Sequence, residues 1–307
     1  MKINKLLLNR NASAMVDLAQ ILIHCNLNEK IPTTSELVAE TKHSRGTIQN
    51  SLKSLVNENI VELEAHGHLG TFLVKKDMKQ LISLAGITTI VGVMPLPYSK
   101  RYEGLATGLI KSSENKFQVP ATMAFMRGAN QRIEMLKARR YDYAILSKAA
   151  FIEYCKSNDD LILVKEFGYH SYLSSHVLIF NNNEEVEIKD GMIIGYDSDS
   201  IDQEVLTRNL CENMDVKLRK IDYNKVIELV LTKEIDAAIW NKDEIIDKRI
   251  QINYQELSFE NNDYNQAVLV VNKDDDIIQY LLAEILDSKQ VIKIQNKVLN
   301  NQLIPSY

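Results

Sequence analysis

Gly46, Gln49, Asn50 and Lys53 recur at spacings of three and four, which places them on one side of a helix, while Ile48, Leu52, Leu55 and Val56 recur on another. Gln and Asn amides can bond both edge atoms of adenine, Lys and Arg serve guanine or phosphate, and Ser or Thr hydroxyls serve backbone oxygens. Ser44 is the N-cap expected before this helix, so Arg45 and Thr47 fall in its first turn, where a helix entering a major groove makes its contacts. The chemistry on offer is contact with double-stranded DNA.

The flanking elements are those such a helix needs. Thr33 and Glu36 form a capping box, so a short helix is expected from Thr34 with Leu37 and Val38 inward. Upstream, residues 13–25 read as a helix that packs on the next two through Met15, Leu18, Ala19 and Leu22. After Asn59 the period changes to strand, and Ile60 to Leu63 and Thr71 to Val74 flank a tip that carries His66, Gly67 and His68. That hairpin is small enough at its end to approach a minor groove. Residues 75–85 read as a linker or linker helix, which puts a boundary near residue 80 and gives two domains, 1–80 and 81–307.

From Gly86 onward, short apolar runs alternate with helical segments, so the second domain is expected to be α/β with mainly parallel strands. Expected strands include 87–94, 117–126, 143–146, 177–180, 192–196, 217–221, 237–240 and 267–271, with a largely helical end over 277–300. In open α/β sheets ligands bind beyond the carboxyl ends of strands. The loops there carry Tyr98 and Ser99, Arg127, Ser147, Asp197 and Ser198, and Trp240. Arg127 is the candidate clamp for an anionic group, because a guanidinium grips a carboxylate or phosphate through two parallel hydrogen bonds. Tyr98 and Trp240 are candidate apolar walls, and Ser99 and Ser147 candidate hydroxyl donors for a small-molecule effector.

Composition narrows the function classes. At 45% hydrophobic and 25% charged residues, both parts should be globular. Residues 1 to 80 hold 10 Lys and Arg against 8 Asp and Glu, the remainder 26 against 33, so the basic excess lies in the part with the groove-reading pattern. Moderate, salt-sensitive DNA affinity that needs a homodimer is expected. Cys25, Cys155 and Cys211 form no CxxC, so neither a zinc site nor a disulfide framework is indicated, and no cofactor is implied. No apolar run reaches the roughly 18 to 20 residues of a membrane span, and the first eleven residues lack a signal-peptide core, so a cytoplasmic protein is expected. Acidic stretches such as 228–244 read as solvated helical faces. No G-x-S-x-G elbow, P-loop or H-E-x-x-H motif occurs; an enzyme or an exported solute-binding protein on the same fold are the alternatives to a regulator.

Three resemblances follow from these residues. Ile31-Pro32, Glu36-Leu37, Ser44-Arg45-Gly46-Thr47, Leu52 with Leu55, and Gly67-His68-Leu69-Gly70-Thr71-Phe72 resemble the winged helix-turn-helix of GntR regulators. Tyr141 to Ile145 and Glu234 to Ile239 resemble a repeated strand of the type II periplasmic-binding-protein fold, one per lobe. That likeness implies lobe 1 at about 86–172 with 268–307 and lobe 2 at about 173–267, joined by two crossings that act as a hinge. The whole chain resembles the YhfZ family, most distinctively at Gly92 to Tyr98 and Tyr102 to Ala106. This implies a ligand-responsive transcriptional regulator whose ligand has to be argued from residues.

Overall fold

Side-chain caps set the beginnings of the N-terminal helices. Asn9 opens α1 (Arg10–His24), Thr33 and Glu36 close a reciprocal capping box on α2 (Thr34–Thr41), and Ser44 opens α3 (Arg45–Asn57). Lys42 ends α2 in the left-handed region, its N–H returning to the Val38 carbonyl, which leaves a tight turn before Ser44. The hairpin β1 (Val61–Ala65) and β2 (Thr71–Lys76) follows, antiparallel, around a 3-10 turn at Gly67–Leu69. Leu18, Leu22, Leu37, Ile48, Leu55 and Leu73 are buried between these elements. Val56, expected inward, is 36% exposed, and Val38, also expected inward, is half-buried.

The computed structural model describes residues 9–113, 117–258 and 263–307. It divides into two compact units, the first running to Ile90 and taking in the stretch that ends at Ala121, the second holding Val91–Ser113 and Thr122–Tyr307. The stretch expected as a linker or linker helix holds a helix: Asp77 caps α4 (Met78–Leu84), whose Leu81 and Ile82 are fully buried as it packs on α1.

The second unit is built on two five-stranded sheets. The first has the order β4-β3-β5-β12-β6, from β3 (Ile90–Met94), β4 (Ala121–Phe125), β5 (Tyr143–Ser147), β6 (Leu161–Glu166) and β12 (Ala267–Asn272). The second has the order β11-β7-β10-β8-β9, from β7 (His176–Phe180), β8 (Ile193–Tyr196), β9 (Lys217–Lys220), β10 (Ala237–Asn241) and β11 (Asn253–Glu256). Strands β5, β7, β10 and β12 are buried along their whole length, which is why they read as unbroken apolar runs.

The expectation of mainly parallel strands meets an exception in each sheet. Strands β3 with β5, β10 with β8 and β8 with β9 are parallel, but β7 pairs antiparallel with β10 and β11, and β12 antiparallel with β5 and β6. Each of β7 and β12 is the strand that enters a sheet after the chain has crossed from the other, and each inserts in the opposite direction. Strands β6 and β11, and helices α7 (Lys148–Cys155) and α10 (Lys242–Lys248), were not expected from the sequence. Strand β4 begins at Ala121 rather than 117, since Pro120 has no N–H for a ladder and Gln118 is left-handed.

Helices cover the sheets: α5 (Lys100–Ser113), α6 (Ala129–Lys137), α8 (Ile201–Leu210), α9 (Val226–Leu231), α11 (Asp276–Ile285) and α12 (Ser288–Leu299). Helix α5 packs tightly against α12, where a Cβ on Gly108 would lie 2.5 Å from the Val291 carbonyl oxygen and one on Gly104 3.0 Å from that of Gln295. The buried Gln295 amide then donates to the carbonyls of Arg101 and Ser171, tying α12 to both α5 and the first crossing.

Candidate nucleic-acid interface and interlobe cleft

In the N-terminal unit the groove-reading candidates lie in the open. Ser44, Arg45, Gly46, Gln49, Asn50 and Lys53 are exposed and Thr47 is half-buried, while Ile48, Ser51 and Leu55 face the core. Arg45 and Lys53 take part in no ion pair among the described residues, so their charges are free for phosphate. Nothing lies within 4 Å of where a Cβ on Gly46 would be, which leaves the first turn of α3 open to close approach. Ser44 is partly spent: its Oγ accepts the Thr47 N–H and bonds the Thr47 hydroxyl at 2.9 Å. At the hairpin tip His66, Gly67 and His68 are all exposed; His66 lies beside Phe72, ring centroids 4.8 Å apart, and 3.4 Å from Glu64.

In the second unit the loops at the carboxyl ends of the strands meet between the lobes. Arg127 follows β4 in lobe 1 and reaches two carboxylates of lobe 2, Asp199 at 3.3 Å and Asp222 at 3.2 Å. These carboxylates and Asp197 hold the guanidinium pKa above its ordinary value, against the opposing effect of its burial. With 31% of the Arg127 side chain and 57% of that of Asp222 exposed, each pair is worth only about 0.2 to 1 kcal/mol.

Asp197 lies at the end of β8 and is 3% exposed. Its Oδ1 accepts the Asp199 N–H at 3.0 Å and the Tyr223 N–H also acts on the carboxylate, whereas its Oδ2 is buried without a close hydrogen-bond partner among the described residues. Burial pushes this carboxyl above the usual aspartate range. Beside it three rings stack across the lobes, Tyr98 on Tyr223 at 5.2 Å and Tyr223 on Trp240 at 4.0 Å. Trp240 is thus under Tyr223 rather than lining open space; it is 2% exposed, and its indole N–H has no acceptor. Burial raises the Tyr98 hydroxyl pKa, and the Lys248 ammonium sits 5.1 Å over its ring while bonding Glu244.

The remaining candidates are turned to structure. Ser99 is buried, its Oγ accepting the Tyr102 N–H at the start of α5. Ser147 is fully buried; it caps α7 through the Ala150 N–H and donates across the lobes to Asp202 Oδ1 at 2.7 Å. Ser198 offers its carbonyl to the Asn130 amide, and Asp199 its carbonyl to the Asn130 N–H. A further lobe-to-lobe pair, Arg101 with Asp243, is mostly buried and bonds the first crossing through the Ser174 N–H. The stretch 228–244 is not one solvated helix: it contains β10 and ends with Asp243 and Glu244 buried at the start of α10. Tyr223, Asp199, Asp222 and Asp243 were missed, although the rule that selected Arg127 selects Asp222 and Tyr223 at the end of β9 as well.

Residues 77–307 match the YhfZ C-terminal domain family and residues 26–73 a helix-turn-helix domain family. The chain is 30% identical over 305 residues to the uncharacterized protein YhfZ of Escherichia coli K12, with 98% of each chain covered. It is similar to the crystal structure of YhfZ from Shigella flexneri, TM-score 0.62 and 32% identity over 75% of this chain and 97% of that one. The methionine-binding protein MetQ, at TM-score 0.50 and 11% identity over 72% of this chain and 98% of that one, shows that the second unit has the fold of periplasmic binding proteins. No helix of the described residues is long and apolar enough to cross a membrane.

Proposed function

Because this chain belongs to the YhfZ family, we propose that it is a cytoplasmic DNA-binding transcriptional regulator, acting as a homodimer, whose second domain binds a small-molecule effector between its lobes. The observation that carries the reading is the exposed face of α3, where Arg45, Gly46, Gln49, Asn50 and Lys53 stand free beside an exposed hairpin tip. Those residue types suit base edges and phosphates. A two-fold dimer places two such helices on a palindrome, which a single one reads too weakly. The effector carries an anionic group that Arg127 grips in exchange for Asp199 or Asp222, with Tyr98 as an apolar wall. No catalytic constellation enters this reading, so the two-lobed domain serves as a sensor.

The test is genome-wide DNA-affinity sequencing with the full chain at about physiological salt, where specific and non-specific binding separate. A few palindromic sites are expected, lost in Arg45→Ala and Gln49→Ala, while Lys53→Ala weakens binding evenly and lowers the salt slope by about 1. Absence of any enriched site sinks the DNA-binding reading.

A further inference from the structure

The charges around Arg127 do not balance. Three carboxylates, Asp197, Asp199 and Asp222, act on this one guanidinium, and Asp199 and Asp222 form its ion pairs. A purely anionic effector would add a fourth negative charge to that group. A protein tolerates a buried, partnerless carboxylate oxygen only at a cost, and such oxygens mark places where a ligand completes the hydrogen bonding. Asp197 Oδ2 is such an oxygen; the residue is 3% exposed and its carboxylate acts on the same guanidinium through space. The same wall already seats an ammonium, since Lys248 lies over the Tyr98 ring against Glu244.

Resting on the effector reading above, we propose that the interlobe site takes a zwitterion: its anionic group replaces Asp199 or Asp222 on Arg127, and its ammonium donates to Oδ2 of Asp197. The ammonium restores the charge that the anionic group disturbs and satisfies a buried acceptor that has no hydrogen bond among the described residues. A hydrogen bond from a charged donor to a charged acceptor is the strong kind, so it contributes much of the selectivity.

The experiment is thermal melting of the full chain with each of the twenty proteinogenic amino acids. Each is set beside the matched amine that lacks the carboxylate and the matched acid that lacks the ammonium. At least one zwitterion is expected to raise the melting temperature while its two truncated partners do not. Asp197→Asn, checked for an unliganded melt no lower than that of the unaltered chain, should weaken binding of that zwitterion at least about tenfold. If matched acids stabilise as well as the zwitterions, the ammonium site is overturned while the anionic effector survives. If matched amines stabilise as well and Arg127→Ala changes nothing, the anionic group falls instead, and with it the zwitterion. No shift with any zwitterion overturns the proposal outright. The panel on the unaltered chain decides this even where the Asn variant folds poorly.

Discussion

Asp202 and His176 are buried ionisable groups whose burial acts in opposite senses. Burial raises Asp202 to about 6 against an ordinary 3.8, although the Ser147 hydroxyl and Arg132 favour its charged form. Tyr102, Tyr172 and Tyr264 also face it. Burial lowers His176, beside Tyr264 and within the field of Asp243, to about 4 from 6.5. A raised acid contributes stability that is full below its unfolded pKa and is lost as pH rises through the folded one. A lowered histidine contributes stability that is full above its unfolded pKa and is lost as pH falls through the folded one. Between about pH 4 and 6 the two therefore oppose each other. Asp202→Asn should leave the titration of His176 in place, so its stability relative to the unaltered chain should grow from pH 4 to pH 7 in urea unfolding; a constant offset would refute the Asp202 titration. At the other unit, Gly46→Ala should stabilise α3 by about 0.5 to 1 kcal/mol, because an exposed helical glycine has nothing around it. If close approach to a phosphate is its purpose, the same variant weakens DNA binding, and unchanged affinity in a titration would show the glycine to be incidental. Arg127 was legible from its place after a strand, and the same rule reaches Asp222 after β9, but their pairing was not legible, since sequence spacing does not say which loops of two lobes meet.

Helix ends were the most legible elements, because capping is a local contract between residues three apart. Thr33 with Glu36 and Ser44 with Thr47 both stand as the spacing requires. The returning strands were not legible: an apolar run such as Val268 to Val271 carries no mark of direction, and only the crossing of the chain makes β12 antiparallel. The tight pairing of α5 with α12 was hidden similarly, although Gly104 and Gly108 are four apart and so share a helix face. A methyl group at Gly108 meets backbone, which cannot swing aside. Gly108→Ala should therefore destabilise the second unit by about 1 to 3 kcal/mol, as overpacking does, despite the better helix propensity of alanine. A melting temperature at or above that of the unaltered chain would mean that the helices separate freely. Lys76 holds another element together, its ammonium donating to the carbonyls of Leu22, Ile23 and Cys25 at the end of α1. Those are carbonyls the helix leaves without partners, and they favour a cation.

At the scale of the whole chain, the question is what closure of the lobes does to DNA affinity. The lobe-to-lobe ion pairs of Arg101 and Arg127 differ in kind: that of Arg101 with Asp243 is mostly buried, those of Arg127 with Asp199 and Asp222 are partly solvated. Breaking a buried pair leaves an uncompensated charge and costs on the order of 3 kcal/mol, whereas a solvated pair is worth less than about 1. Arg101→Ala should thus lower the melting temperature with or without effector, while Arg127→Ala should leave the unliganded melt nearly unchanged and abolish the stabilisation that the effector gives. If the reading is right, effector and operator are coupled ligands of one protein. Linkage then requires that the factor by which the effector changes operator affinity equal the factor by which the operator changes effector affinity. Coupling of this kind amounts typically to about 1 to 3 kcal/mol, or roughly 5-fold to 150-fold. Operator titrations with and without saturating effector, set against effector titrations with and without saturating operator, should return one factor, and Arg127→Ala should bring it to 1. A factor of 1 in the unaltered chain would separate the two domains functionally, leaving a DNA-binding protein whose lobes answer to something other than transcription.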